Sequence, residues 1–360
     1  MSEINRNRRR RLARQLESRG LDGLLVTHRP NWYYLTGFTG DSGVLVVGRR
    51  KSTLITDGRF TVQAAHESPG VRIEPQKGGL FAVTGEWLRR NSFGRVGFDP
   101  EQWAVARLET LERAAGGKVR TVEATGLVEA LRGRKDAQEL AVMRKAAKLG
   151  GEVLEAALRL LEPGVRENEI AAEIEYQMKQ RGASGPCFET IVAFGERSAL
   201  PHARPTPKRL GKKELVVLDL GVILGHYCSD ITRTVHVGRA SQRTRVWYRA
   251  VEEANQAAVA AVSAGVTCGE VDAAARNVLA KNGLESYFVH STGHGLGLEV
   301  HESPRVARGQ SVRLRAGNVI TIEPGVYVEG VGGIRIEDDV VVGVRSREVL
   351  TRVSRDLIEL

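Results

Sequence analysis

Five residues in the second half of the chain have the types and order of a metal-ligand set: Asp219, Asp230, His294, Glu323 and Glu337. Four are carboxylates and one is an imidazole. So oxygen-rich a set can hold two divalent cations and balance their charge, and paired cations activate water for hydrolysis. A lone Asp or Glu at a strand end is ordinarily a solvated or capping group, and a short match to a pattern carries little weight. Five such residues in matched settings carry more.

The settings are two hairpins and a glycine-rich loop. Asp219 lies in the apolar run 215–221, and Asp230 in the strand-like run 228–235. A turn centred between Leu224 and Gly225 is expected to place the two aspartates opposite each other on one face. Without a cation they would repel. A second hairpin, 319–325 with 333–338 across the glycine-rich turn 330–333, is expected to join Glu323 and Glu337 in the same way. His294 lies between Gly293 and Gly295, with Gly297 just beyond, which permits close backbone approach and unusual dihedrals.

Several segments carry a resemblance. They are Leu218-Asp219-Leu220-Gly221, Ser229-Asp230-Ile231-Thr232-Arg233-Thr234, the stretch 290–297 with His290 and His294, Val300-His301-Glu302, Ile322-Glu323-Pro324-Gly325 and Arg335-Ile336-Glu337-Asp338. Together they resemble the proline-specific branch of the pita-bread metallopeptidases, aminopeptidase P and prolidase. The resemblance covers about residues 130–350, with a weaker likeness through the amino-terminal part. It implies an α+β protein: a creatinase-type α/β domain at 1–125, then a pita-bread catalytic domain at 126–360 with an internal pseudo-two-fold repeat. It further implies hydrolysis of the bond between an amino-terminal residue and proline. Xaa-Pro aminopeptidase is the expected activity, with Xaa-Pro dipeptidase (prolidase) as the alternative. The substrates would be short peptides with proline at the second position.

The resemblance also implies roles. Asp230 and Glu337 would bridge two cations, Asp219 would bind one of them, and His294 and Glu323 the other. Hard oxygen donors favour manganese over zinc, and cobalt or zinc could substitute. His202, His301 and Glu323 are the expected catalytic groups, the two histidines donating to the oxyanion or protonating the departing proline nitrogen. His290 would contact substrate or buttress His294. Arg335 stands two residues before Glu337, so on a strand it faces the same way. It would either grip a substrate carboxylate or orient a ligand.

The remainder of the sequence supplies the elements that must position these groups. Gly164-Val165, Glu169-Ile170 and Gly182 recur as Gly265-Val266, Glu270-Val271 and Gly283, each copy preceded by a helical pattern, at about 137–161 and 242–263. Two such units predict a curved sheet with helices on one side and the site on the open face. In the amino-terminal part, 21–26, 43–47 and 54–57 read as strands around a turn-rich 34–40. That domain is expected to wall the entrance to the site or to serve a purely structural role.

Composition narrows the class. At 360 residues and 42% hydrophobic content, a two-domain globular protein is expected. No apolar stretch reaches the length of a membrane span, and no apolar region follows the amino-terminal arginines. The three cysteines form no CxxC pair, so a cytoplasmic enzyme is expected, and the family makes a homodimer the default. The net charge of +10 and the run Arg8–Arg11 raise a non-catalytic alternative, a pita-bread module binding nucleic acid or peptide. The complete ligand set and the lack of an aromatic RNA-binding pattern argue against specific nucleic-acid recognition. Creatinase works without metal, and methionine aminopeptidase shares the five ligands but not the settings of His202 and His301.

Overall fold

Helix and strand alternate in both of two compact units, Met1–Arg132 and Gly133–Leu360. The computed structural model describes residues 2–360. In the first unit Gly23–Val26, Val44–Gly48 and Ser52–Thr56 pair antiparallel in chain order, a short turn joining the last two. Arg72–Pro75, Arg95–Phe98 and Arg120–Glu123 each follow a helix and pair parallel with a neighbour, which needs such a crossover. The result is one six-stranded sheet. Leu25, Val46 and Ile55 pack against Trp87, Leu88 and Leu111 from the helices Leu80–Arg90 and Val105–Ala115. Those helices meet so closely at Gly85 that a Cβ there would collide with the Leu111 carbonyl oxygen.

One local expectation fails in this unit. The stretch read as turn-rich from Tyr34 is in part a helix, Arg29–Thr36. It buries Trp32, Tyr34 and Leu35 and stops at Gly37, which takes the left-handed conformation at φ 86° and donates its N–H to Tyr33 O. Pro30 in the first turn and glycine at the end are helix boundaries as much as turn signals.

The second unit repeats its own plan. Ala137–Leu158 and Gln242–Ala261 are long amphipathic helices, the first closed by a capping box between Asp136 and Glu139. Each is followed by a glycine with positive φ, Gly164 at 101° and Gly265 at 94°, and then by a shorter helix, Glu167–Gln180 or Cys268–Lys281. The hydrogen bonds repeat as well: Gly164 N–H donates to Leu210 O, and Gly265 N–H to Leu314 O. Each helix pair covers its own core. One gathers Leu154, Ile174, Val216 and Leu218, the other Val251, Val271, Ile320 and Ile334.

The strands beneath are not one continuous curved sheet. They form two three-stranded sheets, a five-stranded sheet and a two-stranded ribbon. Register runs unbroken across the gaps: Ile322 pairs with Asp338 on one side and Gly325 with Arg335 on the other. The ladder therefore opens around Glu323-Pro324 and Ile336-Glu337, where proline supplies no N–H and carboxylates point inward. Among the described residues, no helix is long and apolar enough to cross a membrane.

Candidate metal centre

Two hairpins, one from each half of the repeat, bring four carboxylates together. In the first, Glu214–Leu220 pairs with Ile231–Val237 so that Asp219 faces Thr232, not Asp230. The turn centres on Gly225-His226, both with positive φ at 55° and 71°, which is the backbone of a two-residue primed hairpin. The expected turn was thus one residue early. Asp219 and Asp230 are diagonal neighbours instead of directly opposed. In the second hairpin the register on both flanks sets Glu323 opposite Glu337.

The hairpins are joined through side chains. Thr232 donates its hydroxyl to Glu337 Oε2 at 2.6 Å, and Glu337 N–H donates to Thr232 O at 3.1 Å. Thr234 and Arg335 exchange hydrogen bonds in both directions, at 2.9 and 3.0 Å. Arg233, buried against Asp338 at 2.8 Å, also donates to Glu337 O at 2.5 Å.

His294 arrives from the strand Gly293–Gly295, which lies against Val319–Ile322. A Cβ at Gly293 would strike the Thr321 carbonyl oxygen, so glycine serves close approach here. Its φ is not positive, contrary to the expected unusual dihedrals. His294 Nδ1 lies 3.0 Å from Gly295 O, which can only accept, so Nδ1 carries the proton and Nε2 presents a lone pair. That Nε2 is 3.5 Å from Glu323 Oε1 and 3.9 Å from Asp230 Oδ2. Donor atoms of Asp230, His294 and Glu337 all lie within 4.8 Å of one another.

Asp219 stands at the edge of this group. Its Oδ2 accepts from Arg335 at 2.6 Å, while its Oδ1 is buried with no hydrogen-bond partner; Asp230 Oδ1 is likewise unpartnered. Orphaned buried anionic oxygens are costly, and a cation satisfies them. Electrostatics agree. Burial first, then Glu337 and Asp219, pushes the Asp230 carboxyl well above its ordinary value. Burial and Glu323 do the same to Glu337. Burial raises Glu323 to about 7 and lowers His294 to about 4. The donor set therefore fits divalent cations: hard oxygens, a neutral imidazole, and mutual repulsion that a positive charge removes.

Arg335 and His290 are committed inside the protein. Arg335 Nε donates to Thr232 at 3.0 Å, one terminal nitrogen to Pro201 O at 3.1 Å and Tyr327 OH at 2.7 Å, and the other to Asp219. His290 Nδ1 donates to Ser291 O at 2.8 Å, so its Nε2 accepts the Tyr327 hydroxyl proton at 2.9 Å. A chain thus runs from Arg335 through Tyr327 to His290, and burial holds that imidazole neutral by lowering it to about 4. The segment before His294 is tied down by Arg276, which donates to Phe288 O and His290 O. Asp272 binds both Arg276 and the Thr292 hydroxyl.

His202 and His301 line the same cavity, of about 600 Å³, with all five acidic and imidazole donors. Among the described residues neither ring makes a hydrogen bond to the protein; His301 stands edge-on to His294, ring centres 4.4 Å apart. Arg305 also lines the cavity, as do Arg204, paired with Glu189, and Arg335. No hydrogen bond or ion pair engages Arg305 among the described residues. Sequence reasoning missed Thr232, Tyr327 and Arg305. The first two were within reach, because even spacing from Asp230 and Glu323 puts them on the same strand face.

Residues 141–343 match metallopeptidase family M24, and residues 8–133 match the Creatinase/Prolidase N-terminal domain. An Xaa-Pro dipeptidase of Pyrococcus horikoshii is 36% identical over 346 residues, covering 95% of this chain and 96% of that protein. Among solved structures, an Xaa-Pro dipeptidase from Bacillus anthracis has a TM-score of 0.96 at 35% identity, covering 99% of this chain and 100% of that one. An X-Pro aminopeptidase from Thermotoga maritima has a TM-score of 0.90 at 33% identity, covering 97% and 100%. Likeness along nearly the whole chain, with a family match that spans the converging carboxylates, leads to one conclusion: this chain belongs to metallopeptidase family M24, and a Creatinase/Prolidase N-terminal domain precedes its catalytic part.

Proposed function

We propose that this chain is an Xaa-Pro dipeptidase, which reverses the order in which the motifs alone place the two proline-specific activities. The observation that carries the reading is Arg305. A dipeptidase must receive a free carboxylate on proline, and a guanidinium is suited to that task. Of the three arginines lining the cavity, Arg204 and Arg335 are paired with carboxylates and Arg305 is not. The relatives named Xaa-Pro dipeptidase support the same choice. The likeness to the Thermotoga maritima X-Pro aminopeptidase keeps that activity as the second reading.

Asp219, Asp230, His294, Glu323 and Glu337 would hold two divalent cations, manganese being favoured by the four hard carboxylates. Bound there, the cations supply Lewis acidity that lowers the pKa of a water and polarises the scissile carbonyl. Arg335 holds Asp219 by one oxygen and leaves the other unpartnered, so that it could bind a cation. Thr232 likewise holds one oxygen of Glu337. Glu323, which lines the cavity with the other donors, would take the proton of the attacking water. His202 and His301 reach the cavity unengaged, so they donate to the oxyanion and protonate the departing proline nitrogen. The three free thiols support a reducing, cytoplasmic setting, and a homodimer is the assembly we assign from the family resemblance.

The test is release of the amino-terminal alanine from Ala-Pro and from Ala-Pro-Ala, on metal-stripped protein with and without manganese. Cleavage of the dipeptide in preference to the tripeptide is expected, and Arg305→Ala should raise KM for Ala-Pro about tenfold or more with less change in kcat. Preferential cleavage of the tripeptide between Ala and Pro would make it an aminopeptidase. Inactivity toward both with any divalent metal would return the weight to a binding module.

A further inference from the structure

The first unit holds a second concave site, and none of the chemistry above uses it. Arg6, Arg9, Arg10 and Ala13 follow helical spacing and share one face of the helix Ser2–Ser18. Facing them is the turn between Val44–Gly48 and Ser52–Thr56, which carries Arg49, Arg50 and Lys51. Arg72 closes the rim beside Gly70. The hollow is about 380 Å³, and seven cations and no carboxylate line it.

Neighbouring acids neutralise little of this charge. Arg49 meets Asp22 at 3.2 Å and Arg72 meets Glu74 at 2.9 Å. Among the described residues, no carboxylate pairs with Arg6, Arg9, Arg10, Arg50 or Lys51. Arg9 is buried, with one terminal nitrogen donating to Leu35 O at 2.6 Å. Its other terminal nitrogen and one of Arg6 converge over Gly70, 3.6 and 4.0 Å from where a Cβ would lie. Gly70 has φ 80° and no side chain, so that space stays open. Burial, and then the charge of Arg6, lowers Arg9 from its ordinary value. Like charges gathered in one hollow repel, and an anion relieves the repulsion.

We propose that this hollow binds a compact anion carrying several phosphates. Guanidinium forks match phosphate oxygens two at a time, and several arginines aimed at one point suit a short phosphate chain. The volume suits a small ligand. No aromatic ring lines it, so a nucleic-acid base would find nothing on which to stack, which disfavours a single strand. The run Arg8–Arg11 thereby divides by helix face: Arg9 and Arg10 line the hollow, whereas Arg8 lies over the Tyr34 ring at 3.9 Å and is part of the core.

Inorganic tripolyphosphate is the probe, titrated by calorimetry into the full-length metal-loaded protein at about 0.15 M salt, where diffuse surface attraction is largely screened. One-to-one saturable binding is expected, weakened about tenfold or more in Arg6→Ser/Arg50→Ser and less in Arg6→Lys/Arg50→Lys. Both positions are exposed, so thermal melts should be unchanged. Tripolyphosphate also chelates metal. That contribution is common to the wild type and the variants, so their difference isolates the hollow. Equal binding by all three proteins would overturn the proposal, and so would binding seen only near zero salt. Displacement of tripolyphosphate by an oligonucleotide, with affinity growing with strand length, would overturn it in favour of an extended polyanion surface.

Discussion

Asp230 and Glu337 sit among converging carboxylates, and both are raised by burial and by their neighbours. Asp230→Asn or Glu337→Gln keeps shape but removes charge. Each should lower turnover by about a thousandfold or more and weaken metal retention, as metal content after dialysis will show. Wild-type activity in either variant would remove that residue from the site. The same crowding sets a pH dependence. With no cation bound, Glu323 releases its proton near 7, above its unfolded value, so the stability it adds is complete below about 4.5 and is lost as pH rises through 7. His294 works in the opposite direction: lowered to about 4, it favours the fold above about 6.5 and ceases to as pH falls through 4. A cation requires carboxylate and neutral imidazole, so manganese binding at about pH 6 should release at least one proton and tighten as pH rises to 7. Calorimetry in buffers of different ionisation enthalpy measures this, and zero proton release would show that the cluster is already ionised.

At the scale of elements, the hairpins owe their geometry to turns and registers that alternation announces only approximately. The apolar runs at 215–220 and 319–322 were legible because buried strands read as continuous hydrophobic stretches. The one-residue shift to the Gly225-His226 turn was not, because His226 takes a positive φ that is uncommon for a residue with a side chain. That shift decides whether Asp219 faces Asp230 or Thr232. Helix contacts follow a similar logic. Gly85 is where Leu80–Arg90 meets Val105–Ala115, so Gly85→Ala should destabilise the first unit by about 1–3 kcal/mol despite its better helix propensity. Denaturant unfolding checks this, and a stabilised variant would mean that the helices part without cost.

For the whole molecule, the two units separate the chemistry from the rest. All five proposed ligands, the histidines and Arg305 belong to Gly133–Leu360, while the basic hollow belongs to Met1–Arg132. Hydrogen exchange should therefore gain protection on manganese binding in 214–237, 288–295 and 319–342, and not in the six-stranded sheet. Equal gains in that sheet would show that metal binding is coupled to the first unit. The sequence alone determined which residues have the chemistry of ligands, that the four carboxylates among them fall in two pairs on two hairpins, and that the catalytic half repeats a helix–glycine–helix plan. These are consequences of side-chain chemistry and of periods spanning a few residues, which a linear string preserves. Only the tertiary structure decided that Arg335 is committed to Asp219, Thr232 and Tyr327, that Arg305 remains unengaged in the cavity, and that arginines from a helix meet those of a turn about forty residues away. Those outcomes depend on which donors meet which acceptors across packed elements, and sequence spacing does not encode such distances.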